Sequence, residues 1–159
     1  MRSIAETEMK WTLILRLSLI GLVLALGSIF VISPNLESLL WLVVFLYYAS
    51  AIGHGTRTWR FFHGLLLGIL NSVWVVAMHE IFLTRYLAAH PREVQMLDTV
   101  HAAGLSVSPR WIMSFTGITV GVLEGIVIGV FAIVAGMMVK PKRLDLRVIA
   151  NIAEPGAEA

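Results

Sequence analysis

The sequence predicts an all-α fold: a polytopic integral membrane four-helix bundle with a short amphipathic helix in an outer loop. Three observations carry this. Of the 159 residues, 58% are hydrophobic and only 14% charged, where a soluble domain has about half apolar and a quarter charged residues. Four stretches each reach the roughly 20 apolar residues that a helix needs to cross a hydrocarbon core of about 30 Å. These runs are continuous rather than alternating, so helices, not barrel strands, satisfy the backbone groups in lipid.

The first span covers 11–32. Arg2 and Lys10 precede it, and small residues follow at Ala25, Gly27 and Ser28, which raises a cleaved signal peptide. The apolar run outlasts a normal h-region and no A-x-A site appears, so a retained span is expected. The second span covers 36–53, after the loop Ser33-Pro34-Asn35, and the third covers 61–83. The fourth covers 111–139. In the long loop between them, His90-Pro91 followed by Glu93 reads as a helix start, because proline suits the first helical position. Val94, Leu97, Val100 and His101 recur at helical spacing, and Gly104 offers a stop. This helix is expected to lie on the outer leaflet or to cap the bundle. The tail after Lys140 is basic, with Leu144, Val148 and Ile152 on one helical face, suited to anionic inner-leaflet lipid. Residues 1–153 thus read as one transmembrane domain and 154–159 as a disordered tail.

Charge sets the expected orientation. With both termini inside, Arg2, Lys10, Arg16, Arg57, Arg60, Lys140, Lys142, Arg143 and Arg147 lie on or near the cytoplasmic side. Only Arg85, Arg92 and Arg110 lie outside, as the positive-inside rule favours. Trp11 and Trp59 would then mark the inner interface, and Trp41 and Trp111 the outer one.

The strongest local pattern is a ridge of small residues. Gly117, Gly121, Gly125 and Gly129 recur every four residues in the fourth span, and Gly64, Gly68 and Ser72 do the same in the third. Residues four apart share a helix face, and without side chains they let another backbone approach closely. Packing within the chain is the expected use, and a homodimer the alternative.

Polar groups at membrane depth are the candidate site residues. Glu124 lies thirteen residues past Trp111 and fifteen before Val139, close to the midplane. Asn71 sits midway along the third span, and Tyr47 and Tyr48 occupy a similar level in the second. An unpaired carboxylate at that depth costs at least a few kcal/mol, so Glu124 is expected to be protonated or hydrogen-bonded. Its functional reading is proton or cation handling; its bland reading is one hydrogen bond to Asn71, a tyrosine or a carbonyl. His79-Glu80 lies nearer the outer end, level with 114–116. It lacks the second histidine of a zincin, because Leu83 stands there, and Glu80 is expected to meet Arg85 or Arg110. His54 and His63 flank the second loop, where contact with lipid headgroups is expected rather than haem ligation.

The chain has no cysteine, which removes disulfides, iron–sulfur clusters and thiolate chemistry. With a net charge of +2 it shows no dense basic surface for nucleic acid. It carries no G-x-S-x-G, Walker or dinucleotide motif and no paired acidic metal motif, so no cofactor or metal is assigned.

Between Thr58 and about Leu97, Phe61-Phe62 lead into Gly64 and Gly68, and Tyr86 and His90-Pro91-Arg92-Glu93 follow the third span. The glycine-rich last span ends in Lys140-Pro141-Lys142-Arg143. Over these stretches, about half the chain, it resembles a family of small bacterial four-span membrane proteins classed as a domain of unknown function. The resemblance implies that topology and a bacterial inner (plasma) membrane, and transfers no site. His79 and Glu124 are not among the matching features. The expected function is a non-enzymatic accessory or interaction protein, with membrane lipid and a second copy or another membrane protein as partners. The rivals are an oligomeric proton- or cation-coupled carrier or channel using Glu124, and a membrane enzyme on lipid or quinone using His79 and Glu80.

Overall fold

The computed structural model describes residues 9–138. The basic tail beyond Lys140 and the segment 154–159 lie outside the described residues, as does Val139 at the end of the expected fourth span. Within them every regular element is a helix: α1 (Trp11–Phe30), α2 (Pro34–Gly55), α3 (Arg60–Ile81), α4 (Leu83–Ala89), α5 (Pro91–Ala102) and α6 (Pro109–Met138). Four of them, α1, α2, α3 and α6, are long and apolar enough to cross a membrane. Along them large apolar side chains face outward, among them Leu123 at 58% and Phe115 at 76% exposure, a surface that water would penalise and lipid accepts.

Two boundaries differ from the sequence expectation for identifiable reasons. Pro34 opens α2 rather than lying within the loop, because its fixed φ and missing N–H cost nothing in a first helical turn, and Glu37 in that turn complements the helix dipole. The third span stops at Ile81, and α4 is a separate helix. The expected span of 61–83 had taken in Phe82 and Leu83, whose apolar side chains run on from Ile81 across the helix break.

The α2–α3 turn is tight. Trp59 at its end has φ 58°, a left-handed conformation that costs a bulky residue roughly 1–2 kcal/mol. His63 secures it by donating from Nδ1 to the Trp59 carbonyl at 2.8 Å, and Arg60 Nε donates to the Thr56 carbonyl at 2.9 Å.

α3 and α6 form the most extensive contact, α2 packs on α6, and α1 packs on α3. The antiparallel α3–α6 seam keeps a constant register: Gly64 meets Gly129, Gly68 meets Gly125 and Gly121, Ser72 meets Gly121, and Val76 meets Gly117. Gly53 of α2 lies against Ala132, Ala135 and Gly136 of α6 in the same close manner. α1 runs parallel to α3, since Gly21 abuts Asn71 and Phe30 stacks edge-on with Phe82 at 5.2 Å. The buried core of Ile14, Leu17, Ile52, Leu67, Ile128 and Ala132 with Tyr48 fills the half of the bundle nearest the α2–α3 turn. The half covered by α4 and α5, the capped end, buries Ile29 and Leu97 but also holds a row of polar groups and a cavity.

Candidate functional site at the capped end

Five side chains from separate elements form one row across the capped end. α3 brings His79, α4 brings Tyr86, and the α4–α5 junction brings His90. The Tyr86 ring is stacked on both sides, against His79 at 3.9 Å and 21° and against His90 at 4.2 Å and 24°. α1 closes one end of the row: Ser28 Oγ lies 3.3 Å from His79 Nε2. α2 closes the other: Glu37 Oε2 lies 3.1 Å from His90 Nε2. Ser28, His79, Tyr86 and His90 are all buried.

Hydrogen-bond roles follow from the partners. Ser28 donates its hydroxyl proton to the Ala25 carbonyl at 2.9 Å, so towards His79 it accepts, and His79 Nε2 carries the proton. His90 Nδ1 faces the Tyr86 carbonyl at 2.9 Å and must donate, because a carbonyl only accepts. The Nε2···Oε2 contact between His90 and Glu37 therefore holds one shared proton. It is either an imidazolium–carboxylate pair or a neutral pair with a carboxylic acid. Burial pushes the Tyr86 phenol above its usual range, and the carboxylates of Glu93 and Glu37 push it further.

A cavity of about 400 Å³ opens beside the row, bounded by α3, α4, α5 and α6. Val75, Val76, Met96, Leu97, Met113 and Val120 give it apolar walls; His79, Thr116, Arg92 and Glu93 supply its polar groups. On the far side of Tyr86 a second, more polar hollow is lined by Glu37, Trp41, His90 and Arg92. Tyr86, Arg92 and Glu93 line both hollows, so the apolar chamber and the polar one adjoin at the row, and α5 serves as a cap over the bundle end.

The residues singled out in the sequence fall into several places. Glu80 turns away from His79 to α6, where it accepts from Ser114 Oγ and sits 3.8 Å from Arg110. Consecutive helical residues diverge by about 100°, so His79 and Glu80 form no dyad. At mid-depth Asn71 and Tyr48 are fully buried; Asn71 lies against Gly21, and Tyr48 is within electrostatic reach of Glu124. Among the described residues, the Tyr48 hydroxyl and both polar atoms of Asn71 have no hydrogen-bond partner. Tyr47 points outward at 54% exposure, leaving the layer to Asn71, Tyr48 and Glu124. Gly64, Gly68, Ser72, Gly117, Gly121, Gly125 and Gly129 line the α3–α6 seam within the chain.

One expectation is corrected. His63 is not at the lipid surface but fully buried, where its Nε2 accepts the Lys10 backbone N–H at 2.9 Å. With Nδ1 donating to Trp59, the ring is a neutral clasp between the starts of α1 and α3. His54 stays exposed, its Nδ1 2.8 Å from the Ser50 carbonyl.

Sequence reasoning missed Ser28, Glu37, Tyr86 and His90 as site residues. One usable signal existed: Tyr86 and His90 are four residues apart and so share a helical face by spacing. Comparison with known proteins adds nothing to this geometry, as no family model, curated protein or solved structure matches the chain.

Proposed function

We propose that this is a non-enzymatic, multi-pass protein of the bacterial inner membrane, both termini cytoplasmic, that holds the head of a membrane amphiphile in its capped-end cavity. The carrying observation is the cavity itself. Its volume of about 400 Å³ is within the range of small-molecule sites, and its apolar walls converge on a few polar groups. Thr116 and Val120 line it yet are exposed on the bundle's flank, Val120 at 42%, so the chamber opens sideways towards lipid. The arginine and lysine distribution supports the orientation with the capped end outside. An accessory role follows: the chain retains an amphiphile for its own packing, for a second copy or for a membrane-protein partner.

The test is intact-mass spectrometry of protein released from native membranes in mild detergent. A retained amphiphile adduct is expected, lost when Met113→Trp fills the cavity and kept in the lipid-facing Leu123→Trp. A bare wild-type protein, or an adduct equally retained by Met113→Trp, contradicts the reading.

A second reading, an oligomeric proton- or cation-coupled carrier or channel, draws on the mid-depth layer, where Tyr48 is within electrostatic reach of Glu124 and Asn71 is buried without a partner among the described residues. Equal ion flux through proteoliposomes of wild type and Glu124→Gln removes it. A lipid or quinone enzyme working through His79 with Glu80 draws no support from two side chains that face different helices.

A further inference from the structure

Resting on the amphiphile-binding reading, we infer that His79 selects an uncharged head that donates a hydrogen bond, the chemistry of a hydroquinone or a free-hydroxyl glyceride. The tautomer carries the inference. Ser28 has spent its only proton on the Ala25 carbonyl, so His79 must present N–H from Nε2 to Ser28 Oγ. In the neutral ring Nδ1 is then a lone pair. None of the described residues hydrogen-bonds to it, and the ring lines the cavity. Tyr86 stacks flat on the ring and fixes its plane, so the lone pair cannot swing away.

A lone pair fixed at a chamber wall rewards a hydroxyl and repels a carbonyl oxygen. Turning the ring's proton to Nδ1 would leave Ser28 Oγ facing a second lone pair, so the ring resists adapting to an acceptor head. Charge is matched to the same class. Arg92 and Glu93 both line the chamber and offset each other, which leaves no surplus positive charge for a phosphate. His90 is committed to the Tyr86 carbonyl and Glu37, and Tyr86 is covered on both faces. Of the two histidines in the row, His79 is therefore the one with a ring nitrogen left to accept a hydrogen bond from the head.

A hydroquinone and its quinone share a ring and a tail but exchange donors for acceptors, so the pair isolates this feature. Binding is measured by calorimetry under nitrogen, with the full chain in phosphatidylcholine nanodiscs. The probes are a short-chain hydroquinone, the matched quinone, dioctanoylglycerol as the aliphatic source of the same donor, and short-chain phosphatidylglycerol. At least one hydroxyl donor is expected to bind about tenfold more tightly than the quinone, the difference between a satisfied and an opposed buried acceptor. Which of the two donors binds identifies the head. In His79→Phe the preference should shrink to about twofold or less, and in Ser28→Ala, which releases the tautomer, it should fall as well. Thermal melts establish that both variants are folded. Quinone binding as tight as either donor, no binding by any hydroxyl head, phosphatidylglycerol binding as tight as the donors, or a preference unchanged in folded His79→Phe overturns the inference. A native-membrane adduct that Met113→Trp still removes would then show that the chamber is occupied by another chemistry, so the two failures are distinguishable.

Discussion

Replacing Gly68 by alanine adds one methyl group where the α3 and α6 backbones touch. The new Cβ would lie 2.6 Å from the Gly121 carbonyl oxygen and closer still to the Gly125 backbone. Ordinary carbon contacts sit at about 3.5–4.0 Å, so the two helices must part locally by roughly 1 Å. No rotamer can relieve the overlap, because the neighbours are main-chain atoms. Overpacking of this kind costs about 1–3 kcal/mol, and the better helix propensity of alanine returns at most about 1 kcal/mol, for a net loss of roughly 1–2 kcal/mol. The constant register spreads the separation along the seam, where Gly64–Gly129 and Val76–Gly117 lose dispersion contact too. Gly55→Ala is the control: its Cβ would meet only the tip of Leu13, at 3.4 Å. Reversible unfolding in mixed micelles with rising dodecyl sulfate, followed by circular dichroism, reads the difference. Gly68→Ala should unfold at a lower detergent fraction than both wild type and Gly55→Ala. Equal or greater resistance of Gly68→Ala would refute the claim that this seam is a backbone contact within one chain.

Three further perturbations probe separate parts of the structure. His63→Leu strands the Lys10 N–H and frees the strained Trp59 turn, at about 1–3 kcal/mol. Amide exchange at Lys10 should accelerate, and unchanged protection would show that the clasp is idle. Asn71→Leu keeps the volume and removes two buried unpartnered atoms, so the protein should gain about 1–3 kcal/mol; a loss of stability would mean that Asn71 has a functional ligand at mid-depth. The third concerns pH. The buried Tyr86 phenol titrates above an unfolded one, so the folded state binds the extra proton and stability declines as pH climbs through the ordinary phenol range near about 10. Tyr86→Phe should flatten that decline, and identical alkaline profiles for the two proteins would count against a buried Tyr86.

Legibility in the sequence followed the range of the physics involved. The four spans could be read because hydropathy over about 20 residues belongs to one helix alone. The seam was readable for a related reason. Glycines every four residues mark a face, and counting residues from each interface placed 79–80 level with 114–116, where Glu80 and Ser114 now meet. Depth counting says nothing about direction around a helix, and there the reading ran out. It put His63 at the lipid surface, whereas its ring turns inward to Lys10, and it could not separate outward Tyr47 from buried Tyr48. The capped-end row needed the neighbour relations of the bundle. Ser28 and His79 are 51 residues apart, Glu37 and His90 53. These pairs form only because α1 lies beside α3 and the start of α2 faces the α4–α5 junction. No periodicity within one helix encodes that. The helix α4 was hidden for another reason: Phe82 and Leu83 extend the apolar end of α3, and a helix of seven residues is too short for periodicity to declare it.

The natural lack of cysteine permits a direct test of the central claim, that lipid surrounds four crossing helices whose α4–α5 cap faces outward. Single cysteines are placed at exposed Ala102 beyond the cap, at exposed Gly55 in the opposite turn, and at lipid-facing Leu123, then treated in intact cells with a membrane-impermeant maleimide. Ala102→Cys should label at once, Gly55→Cys only after permeabilisation, and Leu123→Cys in neither case while the protein stays folded. Labelling of Leu123→Cys from water, or of Ala102→Cys and Gly55→Cys from the same side, would contradict the proposed placement in the membrane and the lipid-facing cavity that depends on it.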